Sequence, residues 1–204
     1  MKNTLLLIAI LCFSTVHAQY DWTPAKVILK NGTSFRGLVK FPKHSGGLIS
    51  IGSTEFKYKL KKKGKTERYG YETVEEVIFG DEEFATVHYG YVPIQAKKHV
   101  LLEKVISGKV SLYARTVSKF QSTFIGAPNM TGSGYYDDDF QYYLKREDEQ
   151  VAKLIAGPNS FGSFTSKAKE YFSDCEKMVY YLDNELYSQN NLIELVDDYN
   201  LLCE

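Results

Sequence analysis

Hydrophobic and polar residues alternate with a period of two from Ala25 to about Leu144. The segment FKYKLK is typical, because Phe56, Tyr58 and Leu60 alternate with lysines and so give a strand one inward and one outward face. Similar patterns occur in VEEVIFG, EFATVHYG, HVLLEKVIS, KVSLYARTV and FQYYLKRE. Many short strands joined by turns predict an antiparallel β-barrel or sandwich.

Turn signals separate several of these segments. Asn31-Gly32 lies between AKVILK and TSFRGLVKF and strongly predicts a hairpin, because both residues accept positive φ. Ser107-Gly108 predicts a second hairpin turn. Residues 126–139 are rich in Gly, Asn and Asp and predict a long loop. The triplets Asn31–Thr33 and Asn129–Thr131 match the glycosylation sequon, which we interpret as turn chemistry.

After Gly157-Pro158 the apolar period becomes helical and predicts about three helices. Ser173-x-x-Glu176 resembles a capping box, so a helix is predicted to begin there. The three apolar stripes contain Phe161, Phe164, Ala168, Tyr171 and Phe172, then Cys175, Met178, Val179, Leu182 and Leu186, then Leu192, Leu195, Val196, Tyr199, Leu202 and Cys203. The predicted class is α+β, with a β-rich domain over residues 19–156 and a helical segment over 157–204 packed on the sheet.

The N-terminus has the pattern of a secretory signal peptide. Lys2 supplies a positive charge, Leu5–Phe13 is an apolar run, and Val16-His17-Ala18 is a small-x-small cleavage site. The apolar run is shorter than the roughly 20 residues of a spanning helix, which disfavours an uncleaved anchor. We therefore expect cleavage after Ala18 and an exported protein, periplasmic or secreted, without a membrane span.

Composition limits the function only weakly. The chain has 204 residues with 25 cationic and 25 acidic side chains, and loss of Lys2 with the signal peptide changes the net charge from 0 to −1. This balance does not indicate a nucleic-acid partner or an acidic substrate. The 16 tyrosines suit half-buried strand positions, where the ring is apolar and the hydroxyl is wet.

Cys175 and Cys203 are the two cysteines left after cleavage, and we predict that they form a disulfide. The last two predicted helices each rise roughly 17–18 Å, so an antiparallel return brings both thiols to the same end. Disulfides need Cα atoms within about 7 Å and an oxidising compartment. The alternatives are two buried free thiols or, less favoured, a metal or redox site, since the helical region lacks histidine and the pair lacks C-x-x-C spacing.

Three segments in this order resemble a family of uncharacterised exported proteins of Bacteroidota-type bacteria. They are KVILKNGTSFRGLVKF, VLLEKVISGKVSLYAR and YFSDCEKMVYYLDNELYSQNNLIELVDDYN, and the resemblance covers most of the mature chain. It implies export and a build of strands followed by helices. It carries no known activity and no catalytic residues.

Catalytic, metal and cofactor motifs are not found in the sequence. His44, His88 and His99 lack the spacing of a zinc site, so we expect no metal and no cofactor. Gly64-Lys65-Thr66 imitates the end of a phosphate loop but lacks the glycine five residues earlier, and is interpreted as a hairpin turn. There is no G-x-S-x-G elbow. Ser160 and Ser163 are interpreted as helix caps.

Two charged segments are candidate binding surfaces. The basic cluster is formed by Lys57, Lys59, Lys61, Lys62, Lys63, Lys65 and Arg68. It would attract an anionic glycan, lipid head group or acidic protein, but the favoured interpretation is a solvated edge hairpin. Asp137, Asp138 and Asp139 lack the spacing of a calcium loop. Together with Tyr135 and Tyr136 they are a possible contact surface, aromatic and adaptable.

The sequence favours an exported, non-enzymatic module that binds an envelope protein or a surface polymer. The alternative is a hydrolase acting on a glycan or peptide, with a site assembled from residues distant in sequence. A mainly structural subunit of an envelope complex is a third possibility, for which a free sheet edge would be suitable.

Overall fold

A computed structural model describes residues 22–42, 54–81, 85–123, 133–158 and 160–203. For residues 81, 85, 118–123 and 133–138 it describes the backbone alone. The predicted signal peptide, His44 and the triplet Asn129–Thr131 lie outside the described residues.

The described residues form ten β-strands followed by three α-helices, and the predicted α+β class is confirmed. The strands are β1 Thr23–Leu29, β2 Ser34–Lys40, β3 Phe56–Lys59, β4 Glu67–Tyr69, β5 Val74–Asp81, β6 Ala85–Gln95, β7 Lys98–Ile106, β8 Val110–Thr123, β9 Ser133–Arg146 and β10 Lys153–Ala156. The helices are α1 Phe164–Tyr171, α2 Glu176–Asp183 and α3 Leu192–Leu202. The paired strands are antiparallel.

The chain divides into two compact units. The first takes the described parts of residues 1–42 and 55–86, and the second takes those of 43–54 and 87–204. The second unit therefore contains strands as well as all three helices, and the division falls well before Gly157.

The first unit has the strand order β5-β1-β2-β3-β4. Its core contains fully buried apolar side chains from four of these strands, namely Val27, Val39, Phe56, Val74 and Val77. Burying each such side chain stabilises the fold by about 1.5–3 kcal/mol relative to exposure. Aromatic rings extend this core, with Phe35 edge-on to Tyr58 at 4.7 Å between centroids.

Both hairpins predicted in this region are present. The β1–β2 turn has Gly32 at φ +83°, whereas Asn31 does not have positive φ. The Asn31 side chain instead accepts hydrogen bonds from the Thr33 amide at 3.0 Å and the Thr33 hydroxyl at 2.7 Å. The β3–β4 hairpin contains Gly64 in its connecting turn, as predicted. One detail was wrong: β3 ends at Lys59, so Leu60 is 71% exposed instead of facing the core.

The second unit pairs its strands in the order β6-β7-β8-β9-β10. The turn at Ser107-Gly108 joins β7 to β8, as predicted. Strand β10 was not predicted as a separate element and pairs with β9. The strongest correction concerns residues 126–139, because Ser133–Asp139 belong to β9 and pair with residues 117–123 of β8 rather than forming a loop.

The helices pack on one face of the strands of the second unit. A single apolar cluster joins the strand residues Leu112 and Leu144 to the helical residues Phe172, Met178 and Leu195. Ser163 caps α1 by accepting from the Ser166 amide at 3.1 Å, as predicted.

Three predictions about helix ends were wrong. The residue at the N-cap of α2 is Cys175 instead of Ser173, and it makes no side-chain capping bond. Ser160 is not a helix cap, and its hydroxyl donates to the Ile155 carbonyl at 3.2 Å. Leu186 lies beyond the end of α2 and is 59% exposed, so it does not extend the apolar stripe.

Candidate binding pocket

Strand register brings a polar set of side chains together in the second unit. Lys104 of β7 is opposite Tyr113 of β8, and Ser111 of β8 is opposite Lys145 of β9. Successive strand residues point to opposite faces. Leu112 packs in the cluster that includes the helices, so its neighbours Ser111 and Tyr113 point to the other face.

A pocket of about 490 Å³ lies at this position, next to the β7–β8 turn. We call it the lysine pocket; it is lined by Lys104, Ser107, Gly108, Ser111, Tyr113, Lys145, Arg146 and Glu147. Three cations, one carboxylate and three hydroxyls therefore surround a space of the size that small ligands or short polymer segments occupy.

The charges that line the lysine pocket are unevenly compensated. Arg146 forms an ion pair with Asp174, with Nη1 to Oδ2 at 2.7 Å. The Lys145 ammonium donates to the Arg146 carbonyl at 3.1 Å. The side chains of Lys104 and Glu147 have no hydrogen bond or ion pair with any residue that the structure describes. Positive charge is therefore in excess in the lysine pocket.

Among the side chains of the lysine pocket, Arg146 makes the most hydrogen bonds to the rest of the protein. Its two Nη atoms reach both carboxylate oxygens of Asp174, and Nη2 also donates to the Tyr171 carbonyl at 2.9 Å. The Tyr199 hydroxyl donates to Asp174 at 2.6 Å. The hydrogen bonds from Arg146 hold the pKa of Asp174 well below its usual range, against the opposing effect of burial. The same hydrogen bonds raise the pKa of Arg146, so this link persists as an ion pair.

A second carboxylate ties the same strand end to α1. Glu149 accepts from the Arg146 amide at 2.8 Å and from the Tyr171 hydroxyl at 2.7 Å. Burial, reinforced by this hydrogen bond to Glu149, raises the pKa of Tyr171. Because the phenol stays protonated at neutral pH, it remains a donor to Glu149.

The turn beside the lysine pocket is fixed by the C-terminal helix. The Asn200 amide forms two hydrogen bonds with Val110, accepting from its N–H and donating to its carbonyl, both at 2.9 Å. A Cβ atom on Gly108 would lie 2.5 Å from Asn200 Nδ2, so a larger residue there would displace the Asn200 amide from its bonds to Val110. Lys109 Nζ donates to the Cys203 carbonyl, which adds a second link.

The predicted disulfide is present. Cys175 and Cys203 are bonded, with their Cα atoms 5.8 Å apart, and both are buried in the cluster beneath the helices. The disulfide joins the N-cap of α2 to the C-cap of α3. It therefore restrains the helix that carries Asn200, and the Asn200 side chain in turn fixes the strand start beside the lysine pocket.

The predicted contact surface is described only in part. Tyr135, Tyr136, Asp137, Asp138 and Asp139 lie in β9, but the side chains of the first four are outside the described residues. Asp139 Oδ1 accepts from the Phe140 amide at 2.8 Å. Asp139, whose side chain is described, does not line the lysine pocket, and the role of the five residues in contacts stays a prediction.

A separate pair of side chains has the chemistry of a nucleophile and a base. The Lys167 ammonium of α1 donates to the hydroxyl of Ser160, which precedes the helix. Burial lowers the pKa of Lys167, which favours the neutral amine that can accept a proton. In the parts of the chain that the structure describes, no group of three or more His, Cys, Asp or Glu side chains is placed to hold a metal ion.

The lysine pocket was not predicted from the sequence, although a signal was present. Placing HVLLEKVIS against KVSLYAR across the Ser107-Gly108 turn puts a lysine close to a tyrosine. This local pattern does not show that β9 pairs with β8. Strand β9 contributes Lys145, which is more than thirty residues away in the sequence. The pairing partner of a strand is decided by tertiary structure.

Comparison with family models, curated proteins and solved structures finds no match to this chain. The resemblance to exported Bacteroidota-type proteins therefore stays a prediction. Across the described ranges, no helix is both long and apolar enough to cross a membrane. The disulfide is compatible with an exported protein.

Proposed function

We propose that this protein is an exported, non-enzymatic module that binds an acidic segment of an envelope protein or a surface polymer in the lysine pocket. The observation that carries the proposal is Lys104, a cation in a preformed polar pocket with no partner among the described residues. A carboxylate or phosphate ester of the ligand would supply the missing anion.

The other side chains of the lysine pocket suit a hydroxyl-rich or amide-rich ligand. Ser107 and Ser111 each provide a donor and an acceptor, and Tyr113 adds a ring with a polar tip. Glu147 would accept a ligand hydroxyl or amide. These residues lie on strands and on a turn that Asn200 holds in place. Few backbone segments would need to be ordered on binding, which lowers the entropic cost of binding.

The test is site-specific photo-cross-linking in intact source cells. A photoreactive amino acid replaces Tyr113 in the pocket or, as a control, Tyr180, which is 63% exposed on α2. We expect a recurrent adduct at position 113 that Lys104→Glu removes and Lys97→Glu, in the exposed β6–β7 turn, leaves unchanged. Equal adducts at both positions, or no effect of Lys104→Glu, would contradict a role for the pocket.

The segment Tyr135–Asp139 is a second candidate surface for the same function. Replacing both Tyr135 and Tyr136 by alanine tests it in the same capture experiment, with Tyr180→Ala as the control. Loss of the adduct in this double variant but not in Lys104→Glu would move the binding surface to β9.

Hydrolysis of an ester or peptide is the alternative, and the Ser160–Lys167 pair is the observation that favours it. A neutral Lys167 would take the proton of the Ser160 hydroxyl as its oxygen attacks an acyl carbon, and would return it to the leaving group. We expect a fluorophosphonate probe to label Ser160 if this is correct, with labelling lost in Ser160→Ala and Lys167→Gln. Labelling that is unchanged in Ser160→Ala would exclude this pair as the site of reaction.

A further inference from the structure

The β3–β4 hairpin carries a concentrated positive charge in a chain of zero net charge. We call residues 55–69 the basic hairpin. It has seven cationic side chains and two carboxylates, an excess of five positive charges over fifteen residues. A chain with balanced charge gains no general attraction to anions, so attraction of this kind is local to the basic hairpin.

Most of this charge is not neutralised inside the protein. Arg68 pairs with Glu55 at 3.9 Å, and Glu67 accepts from the Tyr69 hydroxyl at 2.9 Å. The five remaining cations that neither pair with an acid nor lie on a ring within the described structure are Lys57, Lys61, Lys62, Lys63 and Lys65. They are exposed, and four of them lie in the turn between the two strands.

Apolar groups accompany the lysines. Leu60 immediately precedes the lysine run and is 71% exposed. The ring of Trp22 lies beneath the Lys59 ammonium, 4.2 Å from the ring centroid, so an indole sits beside the hairpin. Protection of a sheet edge explains cationic side chains next to the short edge strand β4, but it does not explain an outward-pointing leucine.

We infer that the basic hairpin docks on an anionic lipid surface. Lysines next to a membrane interact with lipid phosphates, while an apolar side chain enters the boundary between head groups and acyl chains. Tryptophan favours the same boundary because its ring is amphipathic. The combination of five unpaired lysines, Leu60 and Trp22 thus fits a lipid surface better than a soluble anion. This docking is independent of the lysine pocket and would hold the second unit near envelope ligands.

The experiment uses the emission of Trp22, which is the single tryptophan of the chain. The mature protein, residues 19–204, is mixed with vesicles of phosphatidylcholine alone or of phosphatidylcholine with phosphatidylglycerol. We expect co-sedimentation and a blue shift of Trp22 with the anionic vesicles alone. Both signals should weaken as salt shortens the Debye length from about 10 Å to about 3 Å.

Variants separate the two contributions. Because each lysine near an anionic surface changes the affinity about fivefold, Lys61→Gln, Lys62→Gln and Lys63→Gln together should weaken vesicle binding about a hundredfold. Loss of the apolar side chain in Leu60→Ser should weaken it about tenfold. The matched control, Lys97→Gln in the β6–β7 turn with Lys98→Gln at the start of β7, should bind as the parent does. Circular dichroism should show that all of these variants fold, since the changed side chains are largely outside the core.

Three results would overturn the inference. One is equal binding to neutral and anionic vesicles, and another is binding that the triple lysine variant retains. The third is a Trp22 shift with a soluble anionic polysaccharide but not with vesicles, which would assign the hairpin to a polymer. Lys104→Glu should leave vesicle binding unchanged, so failure of the lysine pocket and failure of the basic hairpin are distinguishable.

Discussion

At the scale of single residues, side-chain groups replace backbone partners at the edges of elements. The Asn200 amide bonds both polar backbone groups of Val110, much as a neighbouring strand would. Arg146 does the equivalent at the end of β9, where it bonds the Tyr171 carbonyl and the Asp174 carboxylate. A partly buried polar group that loses its partner costs about 1–3 kcal/mol, so these residues stabilise more than their number suggests.

Gly108→Ala tests the contact with Asn200. The added methyl would lie within 2.8 Å of three atoms of the Asn200 amide, and moving that amide breaks its two bonds to Val110. We expect a loss of about 2 kcal/mol in the free energy of unfolding, measured by urea denaturation. Ser107→Ala, at the neighbouring exposed position, is the control.

A double variant makes this prediction specific. If the cost arises from the contact, Gly108→Ala combined with Asn200→Ala should destabilise by clearly less than the sum of the two single changes. Strict additivity would mean that the glycine is needed for another reason.

Asp174→Asn tests the ion pair and its pH dependence. The pKa of Asp174 is lower in the folded chain than in the unfolded chain, so its contribution is fully present above the unfolded value and is lost as pH falls toward the folded one. Because the carboxylate is 47% exposed, solvent screening reduces the expected loss at neutral pH to about 1 kcal/mol.

The stability difference between Asp174→Asn and the parent should shrink as pH falls below about 4, which is the unfolded pKa of an aspartate. Urea denaturation at several pH values measures it. Asp197→Asn on α3 is the control, since Asp197 has no ion pair or hydrogen-bond partner in the described chain. A difference that stays constant down to acid pH would argue against the ion pair.

At the scale of elements, short-range signals predicted the hairpins and helices well and their ends poorly. Turn residues such as Gly32 act through their own backbone, so the neighbouring sequence is enough to locate them. The start of α2 is different, because the capping pattern at Ser173 competes with packing of Cys175 against Cys203. The prediction of a loop before Asp139 failed for a related reason, since polar residues form a strand when a partner strand supplies their hydrogen bonds.

The disulfide makes the strongest prediction at this scale. The mature protein, denatured without reductant, should show no alkylatable thiol by mass spectrometry, and two thiols after reduction. Cys175→Ser with Cys203→Ser should lower the free energy of unfolding by about 3.5 kcal/mol, because the bond closes a loop with a sequence separation of 28. Two alkylatable thiols in the denatured, unreduced protein would contradict the bond.

At the scale of the whole molecule, the two units provide two different kinds of surface. The first unit carries the unpaired lysines of the basic hairpin, and the second carries the lysine pocket. Both surfaces are positive although the chain is neutral overall, because the charged residues are unevenly distributed along the chain. Net charge therefore says little about the partners of this protein.

The predicted export concerns the whole chain and has its own test. If the signal peptide is cleaved after Ala18, the protein recovered from source cells should begin at Gln19, which N-terminal sequencing would show. A chain that begins at Met1 in the exported fraction would contradict cleavage after Ala18. Replacing Ala18 by a bulky residue should retain the precursor, because the cleavage site needs a small side chain.

The sequence by itself determined the α+β class, the main hairpins, the helical C-terminus and the choice of Cys175 and Cys203 as partners. These features depend on local periodicity, turn chemistry and the small number of cysteines, which are properties of neighbouring or countable residues. Tertiary structure alone decided that β9 extends to Ser133 and that Lys104, Tyr113 and Lys145 line one pocket. It also decided that Leu60 points outward. These features depend on strand pairing and burial, which join residues far apart in the chain and leave little trace in any short segment.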